Sequence, residues 1–433
     1  MKTSKFNIFI QKDKSSDYLI FNTFSKSHVV VDEEAKLLLE RLNEGIEVNG
    51  EEVAVLRQLK EIGVVLADEV DEDLELDYHF QKNKFDTSIL SVNILTTYGC
   101  NLKCEYCSQE GIQSSKKMDM KTCLRISSWL CEKMEKVRPQ ILRVVFYGGE
   151  PLLNKEAVKF LSQLLFLAST QRNVIMESSI ISNGVLLNAE LVDELKVWGL
   201  KGVRVTLDGD RLSHNSKRHY KNGRGTFDLI LKNLERIKGK VPIHLNGNFD
   251  EVTKNRFPEL LDILVDRGFI GYIKTINFKP ILKNIESAMT GSSNCSDVCT
   301  FSDVSHVEDI LSLIRETEKK GFKSGMGIAL GPCEVSREYS YTVDPEGLIF
   351  KCAGFVGRRE FSIGDLSKGD FNYRHIQFMT KDPWREECRG CVYIPLCWGG
   401  CRTCAYVKYG TIQKVACDKG YFSKVSKKLI KEA

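Results

Sequence analysis

Residues 91–107 read SVNILTTYGCNLKCEYC, and this stretch decides the fold. Residues 91–96 have the composition of a strand, and the strand runs straight into Cys100, Cys104 and Cys107. Three thiolates that close on one loop can hold three irons of a [4Fe–4S] cube. The fourth iron is then left without a protein ligand, which is what chemistry at the metal needs. Thiolates suit zinc as well, so the C-x3-C-x2-C spacing alone leaves both metals open. Zinc sites more often use paired C-x2-C units.

Working outward from that loop, strands and helices alternate. Strands are expected at 141–147, 174–182, 202–207, 241–249 and 272–278. Helices are expected at 119–137 and 154–171, from the cap Asn188 to Gly199, and at 227–237, 254–267 and 306–320. Strict alternation implies a parallel sheet with right-handed crossovers. Six units predict an α/β fold, a partial (β/α)6 TIM-like barrel over 88–325, with chemistry at the C-terminal ends of its strands. Residues 284–305 are rich in Ser, Thr and Asn and read as an irregular insertion carrying Cys295 and Cys299.

A small α+β unit is expected over 1–80. Its strands fall at 6–11, 18–21 and 28–31, Asp32 caps a first helix, and a second helix and a short strand occupy 51–66. The acidic run 68–77 reads as a linker. From Gly325 the helical pattern stops, and short strands, glycines and cysteines mark a third unit over 326–433.

Composition narrows the function. A chain of 433 residues implies two or three domains, and 42% hydrophobic residues is ordinary for a globular protein. Against 58 acidic residues stand 62 basic ones, a formal charge of +4, which gives no field to attract nucleic acid. Lys424, Lys427, Lys428 and Lys431 read as the solvated face of a final helix. The N-terminal segment lacks the apolar run of a signal peptide, and no stretch has the length of a membrane helix. The expected location is the cytoplasm, with no membrane and no nucleic acid as partners. Fifteen cysteines in such a chain point to metal ligation or catalysis rather than to disulfides.

The C-x3-C-x2-C segment after the first barrel strand resembles the signature of the radical S-adenosylmethionine (SAM) superfamily. Four further positions resemble that family's motifs. Tyr147-Gly148-Gly149-Glu150-Pro151 is similar to its GGE motif, and Ser182-Asn183-Gly184 to its ribose-contacting TNG. Thr206-Leu207-Asp208-Gly209 is similar to its S-[IL]-D-G, and Tyr106 stands where the family stacks an aromatic on adenine. The resemblance implies SAM bound at the open iron, Gly148 and Gly149 beside its amino group, and Glu150 paired with that charge. It implies Ser182, Asn183 and Asp208 as further contacts. SAM cleavage would then give a 5′-deoxyadenosyl radical that takes a hydrogen atom from substrate.

A second pattern, Cys333-x13-Gly347-x4-Cys352, then Cys388-x2-Cys391-x5-Cys397-x3-Cys401, then Cys417, resembles the SPASM extension of peptide- and protein-modifying radical SAM enzymes. The resemblance implies two auxiliary [4Fe–4S] clusters, three clusters in all. Cys388, Cys391, Cys397 and Cys417 would hold the outer one, and Cys333, Cys352 and Cys401 the inner one. Residues 334–339, where some members carry a fourth inner cysteine, have none. The inner cluster is thus expected either to have an open iron or to use Cys404. The alternative is a structural zinc module. Cys123 and Cys131 read as core. The seven histidines form no ligand cluster, and His214, Arg218 and His219 read as a solvated loop.

Three functions follow. The first is a maturase that installs a crosslink, a thioether by expectation, in a ribosomally made peptide. The second is oxidation of a cysteine or serine in a sulfatase. The third is a non-catalytic iron–sulfur or zinc protein. The first is favoured because residues 1–80 resemble units that pair with a leader peptide, which can add as a strand at a sheet edge. It is favoured also because Ala353 stands where sulfatase maturases carry an Asp base. The partners expected are a precursor peptide with its leader and a reductant such as flavodoxin or ferredoxin. No catalytic base is identified.

Overall fold

The computed structural model describes residues 1–12, 15–107, 109–281, 304–325, 332–369 and 371–431. Six strands run parallel: β1 (Ile89–Leu95), β2 (Ile141–Tyr147), β3 (Ile175–Ser182), β4 (Leu200–Thr206), β5 (Ile243–Phe249) and β6 (Ile273–Pro280). Helices α1 (Met120–Val137), α2 (Lys155–Thr170), α3 (Ala189–Val197), α4 (Phe227–Ile237) and α5 (Phe257–Asp266) connect them, and α6 (Val307–Lys319) follows β6.

The two faces of the sheet differ in kind. In β2, Leu142, Val144 and Phe146 are buried against helices, while Arg143, Val145 and Tyr147 alternate onto the other face and are half-buried. α1 shows how a helix meets that outer face. Asp119 caps it, accepting from the Thr122 N–H at 2.7 Å, and Cys123, Ile126, Leu130 and Met134 form one buried stripe. Each such apolar side chain contributes about 1.5–3 kcal/mol on burial. Cys123 is buried and Cys131 packs half-buried on the same core, as the sequence implies.

On the inner face, register puts polar residues in rows. Arg204 lies beside His244 and Thr275, Thr206 beside Asn246 and Asn277, and Asn248 beside Lys279. A closed βα-barrel fills its interior with branched apolar residues. This lumen is polar on β4, β5 and β6, which suits an interior that admits a ligand.

The sheet does not end at the six units. β7 (Ser340–Val343) pairs parallel to β1 on the side away from β2, and β8 (Leu348–Phe350) and β9 (Gly364–Asp365) add antiparallel strands. The nine strands form an open sheet ending in β6 and β9.

Near the N-terminus, Asn7–Gln11, Tyr18–Asn22 and His28–Val31 make an antiparallel sheet, joined by helices Glu33–Asn43 and Gly50–Glu61. The acidic run expected to be a linker is instead helix Glu72–Lys84, capped by Asp71. Glu72, Asp73 and Glu75 fall in its first turn, where carboxylates favour the helix dipole, and Leu76 and Phe80 are buried. This part of the chain packs on the C-terminal region. Lys84 pairs with Asp382 at 2.8 Å with both side chains buried, Asp77 pairs with Arg385, and the Phe80 ring meets Trp384 and Trp398.

The expectation that helices stop at Gly325 is also corrected. Tyr373–Thr380, Trp384–Glu387, Ile394–Cys397, Arg402–Tyr409 and Lys419–Lys431 are helical, but most are too short to show a period in sequence. Lys424 and Lys427 are exposed on the last. Cys295 and Cys299 lie outside the described residues.

Candidate active site and metal centres

The cysteine loop is held on three sides. Residues Leu102–Cys104 pair antiparallel with Arg218–Tyr220, which sets Cys104 opposite Arg218. The Tyr98 hydroxyl donates to Asp344 Oδ2 at 2.6 Å, at the end of β7. Gly149 N–H donates to Thr97 O and Glu150 N–H to Gly99 O. A β-carbon on Gly149 would sit 2.3 Å from Gly99 O, and one on Gly148, whose φ is 143°, would sit 2.5 Å from Thr97 O. These glycines are thus required by the approach of two protein loops, a reason different from the approach to SAM expected from sequence.

A cavity of about 280 Å³ opens at the C-terminal ends of the strands. Cys100, Cys104, Cys107, Tyr106, Gly148, Gly149, Ser182 and Asn183, all expected at the site, line it. Asn183 Nδ2 donates to Asn101 Oδ1 at 2.8 Å and lies 3.9 Å from Cys100 Sγ. Arg218, Asn246, Asn248 and Lys279 also line the cavity and were not singled out as contacts.

Glu150 and Asp208, also expected at the site, are fully buried and are not among the residues that line the cavity. Glu150 is fully buried and accepts from Ser182 Oγ (2.9 Å), Asn183 N–H (2.7 Å) and Leu152 N–H (3.0 Å). Burial pushes its carboxyl up, against the pull of those donors. Asp208, also fully buried, accepts from the Tyr106 hydroxyl and from Asn248 N–H at 2.7 Å. The Tyr106 hydroxyl in turn accepts from Arg218 Nη1 (2.9 Å) and Asn248 Nδ2 (3.1 Å). Asp208 therefore fixes Tyr106 and Arg218 from behind.

His214 belongs to that support, not to a solvated loop. It is fully buried within helix Arg211–Lys217; burial and the Arg218 charge hold its imidazole neutral, well below its ordinary pKa. Its Nδ1 accepts from Asp208 N–H at 3.2 Å, so Nε2 carries the proton and donates to Thr226 Oγ1 at 3.1 Å. Thr226 Oγ1 donates to Arg218 O. Arg218 Nε is buried without a hydrogen-bond partner; Asp208 Oδ2 is 3.9 Å away. That orphaned donor on a cavity-lining cation fits an anionic ligand group.

The C-terminal cysteines fall into two neighbourhoods. Burial pushes Cys352 up to about 12, and the Cys333 and Cys401 thiols add to the effect. Burial pushes Cys388 up to about 11, with Cys391 and Cys417 adding to it, and Cys388 in turn acts on Cys397. Buried Cys404 donates to Cys401, lowering the Cys401 thiol and raising its own. It therefore belongs with Cys333, Cys352 and Cys401.

Thiolates on one zinc stand about 3.8 Å apart. Among the described residues, three His, Cys, Asp or Glu donors come within 4.8 Å of one another only at Glu251, His306 and Asp309. No three cysteine thiols among the described residues lie that close together. Lys254 pairs with both Glu251 (2.7 Å) and Asp309 (3.0 Å), so an ammonium already serves those acids; sequence reasoning saw no such group around a histidine.

Comparison with known proteins agrees with this geometry. Residues 94–264 match the radical SAM superfamily. Over 463 aligned residues the chain is 22% identical to the radical SAM cyclopropyl synthase TigE of Paramaledivibacter caminithermalis, covering 96% of this chain and 93% of that one. It is 22% identical over 373 residues to a cysteine-type anaerobic sulfatase-maturating enzyme of Clostridium novyi, covering 76% of this chain and 93% of that one. The solved structure of native anSMEcpe with bound AdoMet and the Kp18Cys peptide superposes with a TM-score of 0.61 at 20% identity, over 79% of this chain and 98% of that one. Among the described residues no helix is long and apolar enough to cross a membrane. Residues 94–264 thus match a radical SAM catalytic domain, and that domain makes the chain an enzyme.

Proposed function

We propose that this enzyme uses radical SAM chemistry to oxidise a side chain of a peptide or protein. The observation that carries the reading is the loop of Cys100, Cys104 and Cys107, which faces a cavity also lined by Tyr106, Asn183 and Arg218. A [4Fe–4S] cube held by those cysteines, with SAM, would supply a 5′-deoxyadenosyl radical for hydrogen abstraction. Arg218, with its orphaned Nε, suits the SAM carboxylate, and Tyr106 is held rigid by Asp208 for the adenine side. Glu150 acts through Ser182 and the Asn183 backbone, holding the ribose-side loop in place. In the same reading, Cys388, Cys391, Cys397 and Cys417 hold one auxiliary cluster. Cys333, Cys352 and Cys401 hold another, beside Cys404.

Two finer readings differ in product. Oxidation of a protein cysteine or serine has the support of the sulfatase-maturating relatives and stands ahead of the thioether crosslink that the sequence favoured. A crosslink in a leader-bearing peptide keeps the support of two observations. Ala353 offers no base beside Cys352, and the TigE match covers 96% of the chain. The His28–Val31 strand lies at that sheet's edge, open to one more strand.

The test is anaerobic incubation of iron-reconstituted enzyme with SAM and dithionite. 5′-Deoxyadenosine is expected, and its absence would refute the chemistry. Candidate peptides encoded beside the gene are then added. A hydrazide-reactive aldehyde identifies side-chain oxidation, and a loss of hydrogen with a new intrachain link identifies the crosslink.

A further inference from the structure

Trp384 and Trp398 are 5% and 8% exposed, and among the described residues neither Nε1–H has a hydrogen-bond partner. A buried indole N–H normally finds an acceptor, because leaving it unpaired costs free energy. The two rings meet edge to face, with centroids 5.4 Å apart, in an apolar core whose other buried members are Phe6, Leu76, Phe80 and Ile394. None of those four side chains offers an acceptor. Cys388 and Cys391 pack against the same core and bring sulfur, which accepts hydrogen bonds.

We propose that the Trp384 and Trp398 indoles donate hydrogen bonds to the sulfurs of the auxiliary cluster held by Cys388, Cys391, Cys397 and Cys417, and that they raise its reduction potential. The proposal rests on the reading of those four cysteines as the ligands of one cluster, and it adds the groups that set that cluster's potential.

Position and conformation support it. Trp384 opens the short helix Trp384–Glu387, and its carbonyl accepts from the Cys388 N–H at 3.0 Å, so this indole starts one turn before the first ligand. Trp398 directly follows Cys397 and ends the helix Ile394–Cys397 in the left-handed region, with a φ of 50°. Glycine takes that conformation freely, and the next two residues are Gly399 and Gly400. A tryptophan is thus held where glycine would be less strained, which argues for a use of its side chain. Packing fixes both rings. Phe80 lies 5.0 Å from Trp384 and 5.2 Å from Trp398, and the Arg385 guanidinium sits 4.8 Å over the Trp384 ring. Trp398 also borders a cavity of about 400 Å³ with Glu72 and Glu75, yet neither carboxylate takes its N–H. Phenylalanine at either place would fill apolar space and leave no donor unpaired. An iron–sulfur cube in thiolate ligation is negatively charged and becomes more so on reduction. An N–H aimed at its sulfurs therefore favours the reduced state.

The test isolates this cluster in the full chain by Cys100→Ala, Cys104→Ala, Cys107→Ala and Cys352→Ala, which leave the other four-cysteine set intact. The chain has four tryptophans, of which Trp129 and Trp198 lie in the barrel units, and all are labelled with nitrogen-15 at the indole. The protein is reconstituted anaerobically and reduced with dithionite. Pulsed electron paramagnetic resonance should then show a nitrogen-15 coupling to the cluster spin. The coupling should weaken in Trp384→Phe and in Trp398→Phe and vanish in the double variant. In redox titration each single variant should lower the equilibrium constant for one-electron reduction about tenfold, a midpoint about 59 mV more negative. A reduced cluster with no nitrogen-15 coupling in the labelled parent overturns the inference, and that measurement needs no change at tryptophan that could disturb folding. Unchanged potentials in both Phe variants overturn it too. A parent that binds no iron refutes the four-cysteine ligand set itself, and the assignment of the indoles falls with it.

Discussion

Gly149 has no room for a β-carbon, because Gly99 O stands where the substituent would go. Both partners are backbone, so neither can swing aside. Gly149→Ala is expected to cost about 1–3 kcal/mol and to displace the cysteine loop. Urea unfolding would show the first effect, and a fall in iron bound per chain after reconstitution the second. A charged residue nearby makes a pH prediction. Burial pushes the Asp250 carboxyl up, but the Lys217 ion pair and the Thr253 hydrogen bonds outweigh it and hold it at about 2. A carboxyl held below its unfolded value near 3.9 stabilises the fold above about pH 4, and loses that contribution as pH falls toward about 2. The side chain is mostly covered yet near solvent, so the contribution is about 1–2 kcal/mol. Wild type should lose this much more stability than Asp250→Asn between pH 5 and pH 2, in paired urea titrations. Lys217 also reaches Glu105 in the cysteine loop, so acid should loosen that loop first.

At the scale of elements, the barrel units were legible because each carries local signals. The helix at 227–237 and the strand at 141–147 were placed to the residue, and Asp119 and Asn188 cap helices as their side chains suggest. What stayed hidden depends on partners far along the chain. Tyr106, Asp208, Arg218 and Asn248 meet only after three βα units have folded, and nothing local marks the hydrogen bonds that join them. The polar lumen was equally silent, since Arg204, Asn246 and Lys279 each look like an ordinary residue of an alternating strand. The helix at Glu72–Lys84 was masked by its own acidic first turn. The C-terminal cysteines act on one another in two sets, Cys333, Cys352 and Cys401 in one and Cys388, Cys391, Cys397 and Cys417 in the other. They predict separable metal losses. Cys352→Ala and Cys391→Ala should each remove about four irons per chain and leave the rest, whereas the double variant should remove about eight. Iron assay after anaerobic reconstitution checks this.

At the scale of the whole molecule, the N-terminal and C-terminal regions meet through the Lys84–Asp382 pair, with side-chain exposures of 2% and 5%. Removing one partner strands the other charge. Lys84→Met should destabilise by about 3 kcal/mol, at the low end for a buried pair because Arg385 remains 3.4 Å from Asp382. A lower urea midpoint checks it, and Lys84→Met with Asp382→Leu should recover part of the loss. The shared sheet has a consequence for how the protein is made. β1 is an inner strand only because β7 covers its far side, and β7 leaves the ribosome roughly 250 residues after β1. At ordinary elongation rates, that edge stays bare on the nascent chain for on the order of ten to fifty seconds, at risk of pairing with another chain. Synthesis of this protein should therefore lean on chaperones that hold the early strands, and starving cells of such chaperones should send it into inclusion bodies before any cluster is inserted.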